Sequence, residues 1–217
     1  MTLLHDHRGH SAESWLGRAT ADIARILGRA QEARPPAEAE GDALFRTEGD
    51  DLTALLAAAD VVRRARVGDD VSFVITRNIN FTNVCYMGCK FCNFATRRED
   101  PEAELLDFAE IARRTREAHG RGASEVCIQG GLHPKIKGDH YRRILQAIKA
   151  EVPGMHIHAF SPFEVWYGAK LARLSVEEFL IDLKEHGLGT IPGTAAEILD
   201  TEVREKLTQN KLSADQW

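Results

Sequence analysis

The 217-residue sequence contains no uninterrupted apolar run near the ~20 residues that a bilayer-crossing helix needs, so no membrane span is expected. An apolar h-region is missing from the polar opening Met1-Thr-Leu-Leu-His-Asp-His7, which argues against a secretory signal. Excess basic charge is missing as well: 28 Lys and Arg stand against 33 Asp and Glu, a net charge of −5 with the two signs interspersed. That balance gives no reason to expect nucleic acid as a partner, and Arg63, Arg64 and Arg66 read as the solvated face of a helix. Cysteine is scarce, at four residues, and a disulfide scaffold is not expected in a chain this long. What remains is ordinary globular composition, 43% hydrophobic, in a chain long enough to bury a substantial core.

The placement of the cysteines says more than their number. Cys85, Cys89 and Cys92 fall within eight residues, whereas Cys127 lies alone in an apolar stretch and reads as an inert, buried strand residue. Clustered thiols without a disulfide framework point to a metal or cluster site in a reducing compartment, which would be the cytoplasm. The early histidines His5, His7 and His10 receive no role beyond adventitious metal binding.

Residues 1–50 read as a loose N-terminal extension, with a short helical pattern around Ile23, Ile26 and Leu27, the breaker Arg34-Pro35-Pro36 and an acidic, alanine-rich stretch. The folded domain is expected over 51–217. Leu52, Leu55, Leu56, Ala59 and Val62 recur at helical spacing until Gly68, and 71–80 reads as a β-branched strand. Beyond the cysteines the pattern predicts a helix over 104–119 and a strand over 125–129 that Gly130-Gly131 ends. Tyr141, Ile144, Leu145, Ile148 and Val152 form the stripe of a second helix, followed by a strand over 155–160. A further helix starts at Ser175, with Glu178 completing a capping box, and stops at Gly187 before a fourth strand over 188–191.

This alternation implies an α/β fold of about four parallel βαβ units, either an open doubly wound sheet or part of a (β/α) barrel. Periodicity does not choose between them, but in both the site lies at the C-terminal ends of the strands. The unusual motifs sit at such ends: the cysteine loop, Gly130-Gly131-Leu-His133-Pro134, His158-Ala-Phe-Ser161-Pro162 and Pro192-Gly193-Thr194. The cysteine spacing C-x3-C-x2-C brings three thiolates to one short loop, with Gly88 allowing a tight backbone path. A structural zinc site would need a fourth ligand, and no second cysteine or histidine pair follows at zinc-finger distance. A four-iron cluster on three cysteines keeps one iron open for a ligand or reactant. Three incidental core cysteines are the bland alternative.

The spacing, with aromatic Phe91 directly before the third cysteine, resembles the signature of the radical S-adenosylmethionine (SAM) enzymes. The resemblance implies that Cys85, Cys89 and Cys92 ligate a [4Fe-4S] cluster whose open iron is chelated by SAM. An electron from the cluster would then cleave SAM to methionine and a 5′-deoxyadenosyl radical. It also implies that bare backbone at Gly130 and Gly131 lets the methionine end approach, although Leu132 and His133 stand where the family often has an acidic residue, and that Phe91 borders the adenine.

A closer resemblance covers most of the chain from about Asp42. The runs Arg77-Asn-Ile-Asn-Phe-Thr-Asn83, Glu125-Val-Cys-Ile-Gln-Gly-Gly-Leu-His-Pro134, His156-Ile-His-Ala-Phe-Ser-Pro162 and Ile191-Pro-Gly-Thr-Ala-Ala-Glu-Ile-Leu199 are similar to the hydroxyphenyl transferases of deazaflavin biosynthesis. These occur as separate subunits or as the C-terminal half of a fused FO synthase on the route to coenzyme F420. The resemblance implies transfer of the 4-hydroxybenzyl group of L-tyrosine to 5-amino-6-(D-ribitylamino)uracil, an electron donor protein, and the other FO synthase component as a partner. His133, His158 and Glu164 are then candidate catalytic residues, and Ser161 and Glu197 candidate cofactor contacts. Each has a rival reading, since strand-end histidines and carboxylates often only satisfy loop amides or cap helices.

A full eight-unit barrel takes ~250 residues, so the expected architecture is the N-terminal half of a radical SAM (β/α) barrel, about four βα units, behind a helical extension. The chain reads as C-terminally truncated. Two other readings stay open: a futalosine-type radical SAM enzyme of menaquinone biosynthesis, which shares Arg-Asn-Ile-Asn and Gly-Gly-Leu-His-Pro, and a non-catalytic cluster-binding fragment that works only with a complementary partner.

Overall fold

The computed structural model describes residues 12–194, 196–208 and 210–217. The chain divides into two compact units, the first ending at Ser72 and the second running from Phe73 to Trp217. His5, His7 and His10 lie outside the described residues.

The first unit is helical: α1 (Ala12–Leu16), α2 (Ala21–Gln31), α3 (Glu38–Phe45) and α4 (Gly49–Val67). Ile23, Ile26 and Leu27 of α2 bury against Ala54 and Ala58 of α4, and Trp15 of α1 buries against Ala57. Small side chains along that face of α4 let the neighbouring backbones approach closely, so a short apolar stripe suffices for a core. Asp51 on α4 reaches back to the start of α2, accepting from the Thr20 N–H at 2.7 Å and its hydroxyl at 3.0 Å. Helices α1 to α3 thus share one unit with the helix at 49–67. Glu40 explains α3, which composition alone concealed. Its carboxylate accepts from the Ala37 N–H at 3.0 Å and pairs with Arg29 and Arg25, and that backbone donor first, then the guanidinium groups, hold its pKa below the usual value.

The second unit is built on β1 (Thr76–Asn80), β2 (Glu125–Gln129) and β3 (His156–Ala159), parallel and in the order β1-β2-β3. The crossovers are α5 (Phe108–Gly120) and α6 (His140–Glu151), followed by α7 (Pro162–Ala172), α8 (Val176–Glu185) and α9 (Thr201–Leu207). The register aligns Asn78 with Cys127 and His158, and Ile79 with Ile128 and Ala159. Ile79, Val126, Ile128, Ile157 and Ala159 are buried in one core with Ile111 of α5 and Tyr141, Ile144, Leu145 and Ile148 of α6. The alternate positions carry Asn78, Asn80, Cys127, Gln129, His156 and His158, none of them fully buried. A doubly wound sheet has apolar residues on both faces. Here one face is apolar and the other polar, which is the pattern of a barrel wall around a polar interior.

Element by element, β2, α6 and α8 fall where the sequence places them, and Ser175 caps α8 in a box with Glu178. The first strand begins at Thr76, not at 71, with Val71 and Phe73 90% and 85% exposed. Helix α5 begins only at Phe108, where Asp107 accepts from the Glu110 N–H at 2.7 Å. The fourth strand is reduced to one parallel bridge, His158 to Thr190. Helix α7 was not foreseen, because Phe163, Val165, Tyr167, Gly168 and Ala169 bury nearly all round and leave no 3.6-residue stripe. Among the described residues no helix is long and apolar enough to cross a membrane.

Candidate functional site

The cysteine loop leaves the top of β1 and is pinned at its foot by side chains of the Asn80-Phe-Thr-Asn83 run. The buried Thr82 hydroxyl donates to the Glu104 carbonyl at 2.6 Å and accepts from the Val84 N–H at 3.1 Å. The Asn83 amide donates to the Glu102 carbonyl and accepts from the Glu104 N–H, both at 2.7 Å. This bracing occupies 102–104 and explains why the following helix starts late. The Thr96 N–H donates to the Asn83 carbonyl at 2.9 Å and so closes the loop. Within it Gly88 adopts φ +68°, a conformation that favours glycine.

All three loop thiols are free; Cys85 and Cys89 are partly buried and Cys92 is exposed. Burial is the main influence on Cys85, and it pushes that thiol above its ordinary range. The C-terminal segment packs on the loop from the other side. Cys89 Sγ lies 3.3 Å from Thr208 Oγ1, and the Lys90 N–H donates to the Leu207 carbonyl at 3.1 Å.

The glycine pair after β2 is in direct contact with this loop. A Cβ on Gly131 would sit 2.3 Å from the Val84 carbonyl oxygen and 2.8 Å from Cys85 Cβ, and one on Gly130 would meet the Phe81 ring at 2.7 Å. Only glycine allows so close an approach at these two positions. The Gly131 N–H donates to the Thr82 carbonyl at 2.9 Å, and the Gly130 N–H donates to Glu164 Oε1, also at 2.9 Å. Glu164 is 2% exposed and accepts on its other oxygen from the Ser161 N–H and hydroxyl, each at 2.7 Å. Burial pushes its pKa up to about 7 against the opposing pull of these donors. Ser161 and Glu164 thus form the capping box of α7, and the same carboxylate ties that helix to the glycine pair.

One cavity of about 370 Å³ gathers these parts. Its lining includes Cys85, Cys89, Cys92, Phe91, Gly130, Ser161, Glu164 and Glu197 from the sequence-based candidates. Gly131 lies behind the lining, against the cysteine loop. His133 does not reach the cavity. It is buried, its Nδ1 accepts from the Lys135 N–H at 3.1 Å, and burial lowers its pKa. His158 also stays outside, with Nδ1 2.6 Å from the Thr190 hydroxyl. Cys127 is not in the lining either. Lys211 and the strand amides Asn78, Asn80 and Gln129 line the cavity but were missed. The period-2 polar positions of the strands were the available signal for the amides; Lys211 had none.

The donor set decides what the loop can hold. Among the described residues no three His, Cys, Asp or Glu side chains are gathered tightly enough for a single metal ion. A structural zinc site is closed by four ligands, and the loop itself offers three thiols. A polynuclear iron–sulfur cluster, with each thiolate on its own iron, suits three partly exposed cysteines around a shared cavity.

Comparison with known proteins agrees with this chemistry. The family model described as the Radical SAM superfamily matches residues 79–217. The chain is 51% identical over 203 residues to FO synthase of Streptomyces avermitilis, covering 92% of this chain and 23% of that protein. It is 50% identical over 202 residues to FO synthase of Mycobacterium tuberculosis, covering 92% and 24%. The 5-amino-6-(D-ribitylamino)uracil–L-tyrosine 4-hydroxyphenyl transferase of Methanopyrus kandleri is 46% identical over 179 residues, which cover 82% of this chain and 48% of that one. The chain therefore spans about a quarter to a half of the length of these relatives. Among solved structures, HydG, a maturase of the [FeFe]-hydrogenase, superposes over 94% of this chain and 44% of its own, with a TM-score of 0.71 and 17% identity. Methylornithine synthase (PylB) covers 94% of this chain and 52% of its own, with a TM-score of 0.57 and 21% identity. Both likenesses are of fold.

Proposed function

The chain belongs to the radical SAM superfamily, which implies an iron–sulfur cluster and SAM, and on that premise we propose that it carries the cluster half of a 4-hydroxyphenyl transferase. The proposed reaction moves the 4-hydroxybenzyl group of L-tyrosine to 5-amino-6-(D-ribitylamino)uracil, with one electron supplied by a donor protein. The observation that carries this reading is the packing of Gly131 on Val84 and Cys85, which sets the glycine pair against the cysteine loop, with Gly130 and the three thiols lining one cavity. The 46% identity to the Methanopyrus transferase supports the choice of substrates.

Cys85, Cys89 and Cys92 would hold a [4Fe-4S] cluster, with no fourth cysteine in the cavity lining to occupy its remaining iron. When bound, the cluster and SAM supply a 5′-deoxyadenosyl radical. The work of the chain is to position and to shield. Gly130 lines the cavity as bare backbone for the methionine end, Gly131 behind it lets the cysteine loop approach, and Glu164 fixes that backbone through the Gly130 N–H, which makes it a positioning residue. Phe91, 46% exposed, offers a ring face to the adenine. Asn78, Asn80 and Gln129 present amide donors and acceptors suited to a polar substrate held near the radical. Free thiols and an oxygen-sensitive cofactor suit a reducing compartment such as the cytoplasm.

Anaerobic reconstitution with iron and sulfide, followed by EPR of the reduced protein with and without SAM, tests the reading. We expect a cluster signal that SAM perturbs and that Cys89→Ala abolishes. Formation of a hydroxybenzyl adduct from tyrosine and the ribitylaminouracil would then be followed by mass spectrometry. A protein that binds zinc in place of a cluster, or a cluster indifferent to SAM, would overturn it.

A further inference from the structure

Very little chain separates the cavity from the outer surface. Cys85 lines the cavity and also a hollow of about 210 Å³ on the other flank of the loop, with Tyr86, Arg97, Arg98 and Glu99. Met87 and Phe163 line the cavity and also a second outer hollow of about 730 Å³, walled by Tyr86, Trp166, Tyr167 and Lys170. Tyr86 and Pro134 belong to both outer hollows, so the two adjoin. The stretch 85–87 is therefore a thin wall, with the space that the thiols face on one side and the outer surface on the other.

This outer face carries positive charge that the chain itself does not neutralise. Many arginines are matched by a carboxylate, as Arg63 is by Asp60, Arg116 by Glu151 and Arg142 by Asp182. Arg97, Arg98, Lys135 and Lys170 are exposed and form no ion pair among the described residues. Glu99 is the one carboxylate in the lining of either hollow, and neighbouring Asp100 accepts from the Arg97 N–H at 2.6 Å. Burial first, then the charges of Arg98 and Lys135, lower the pKa of His133, so Lys135 shares the patch with Arg98. Aromatic rings lie beside these cations. The Tyr86 ring is 48% exposed and 6.0 Å from that of Tyr167, and the Lys170 ammonium is 5.0 Å from the centre of the Trp166 ring. Arginine and aromatic side chains together are the composition of protein interfaces.

We propose that this face docks an electron donor, a small acidic protein that presents the edge of a flavin. The inference rests on the radical SAM reading above, which requires one electron from outside the chain. The basic patch attracts an acidic partner against the net charge of −5 that would otherwise repel it. The aromatic hollow lies within the ~300–1,000 Å³ of sites that take a cofactor-sized ring, and it receives the flavin edge. An iron–sulfur donor, whose cluster stays inside its own loops, has no use for such a hollow. One electron leaves the partner's reduced flavin, which is oxidised by one step, and reduces the centre that the three thiols would hold. No atom or proton is transferred to this chain, and the electron crosses only the wall at 85–87.

The test uses the reconstituted full chain and an acidic bacterial flavodoxin. Calorimetry measures binding of the oxidised flavodoxin, and stopped flow follows cluster reduction by the reduced form, with dithionite as the small reductant for comparison. We expect binding to weaken with added salt. The double variant Arg98→Glu, Lys170→Glu should weaken binding and slow reduction by flavodoxin about tenfold or more while leaving reduction by dithionite little changed. Both side chains are exposed, and Lys135→Glu provides the same comparison with a single exposed charge. Binding and rates that ignore both salt and the charge reversals overturn the surface, and so does equal slowing with dithionite, which would mark damage to the cluster site. A ferredoxin of similar charge that binds and reduces as well as flavodoxin overturns the flavin partner. The radical SAM reading is judged separately, by the SAM-perturbed EPR signal of dithionite-reduced protein, which survives a failed docking surface.

Discussion

Glu164 and Gly131 determine how the cysteine loop meets the glycine pair, and each supports a prediction. Glu164 has a pKa of about 7 when folded, above the ordinary 4.5, because its carboxylate is buried. A raised acid binds its proton more tightly in the folded state, so its contribution to stability is fully present below about 4.5 and is lost as pH rises through about 7. A shift of this size corresponds to roughly 3 kcal/mol. Thermal unfolding across pH 4 to 8 should show wild-type protein losing stability over that window relative to Glu164→Gln, whose amide does not ionise. Parallel profiles would remove the carboxylate from the account. At Gly131 the added methyl of alanine would meet the Val84 carbonyl oxygen at 2.3 Å, so Gly131→Ala should cost about 1–3 kcal/mol and lower iron retention. Gly193→Ala, with nothing within 4 Å, is the matched control and should leave both unchanged. Residue identity and spacing made the three cysteines, the glycines and the Ser161–Glu164 pair legible in the sequence. His133 and His158 find partners outside the cavity lining, because a strand-end position locates a backbone and not the partner its ring will find. Lys211 reaches the cavity only through the fold of the C-terminal segment, which local pattern does not encode.

The elements that the sequence announced have one apolar stripe or strict alternation bounded by turn residues, as in β2, α6 and α8. Those it concealed are determined by tertiary contacts. Helix α7 is buried on nearly every side, α5 gives up its first turn to brace Asn83, and the fourth strand keeps a single bridge. Two identical capping boxes separate local from tertiary effects. Ser175→Ala removes an exposed cap and should cost about 1 kcal/mol. Ser161→Ala removes the same cap but also strips a donor from the buried Glu164 oxygen, for which the penalty is about 1–3 kcal/mol. Denaturant titration should therefore rank Ser161→Ala as the more damaging of the two, and equal effects would show that the link from α7 to Gly130 contributes nothing to stability.

All four thiols lie in one of the two compact units, and under the proposed function this has a thermodynamic consequence. The first unit is under 75 residues and rests on a small core of Ile23, Ile26 and Leu27 against alanines, which places it at the marginal end of stability. The second unit has the larger core and contains every thiol. A group that binds only the folded form stabilises the unit that holds it, by an amount that grows with ligand concentration over its dissociation constant. Calorimetry of the whole chain should accordingly resolve two transitions. Reconstituting the cluster and adding S-adenosylhomocysteine should raise the transition of the second unit and leave that of the first in place. Stripping the iron with a chelator should reverse the shift. A common shift of both transitions would mean that the helices before Ser72 unfold only with the cluster-binding unit, and the N-terminal helices would then count as part of the catalytic body.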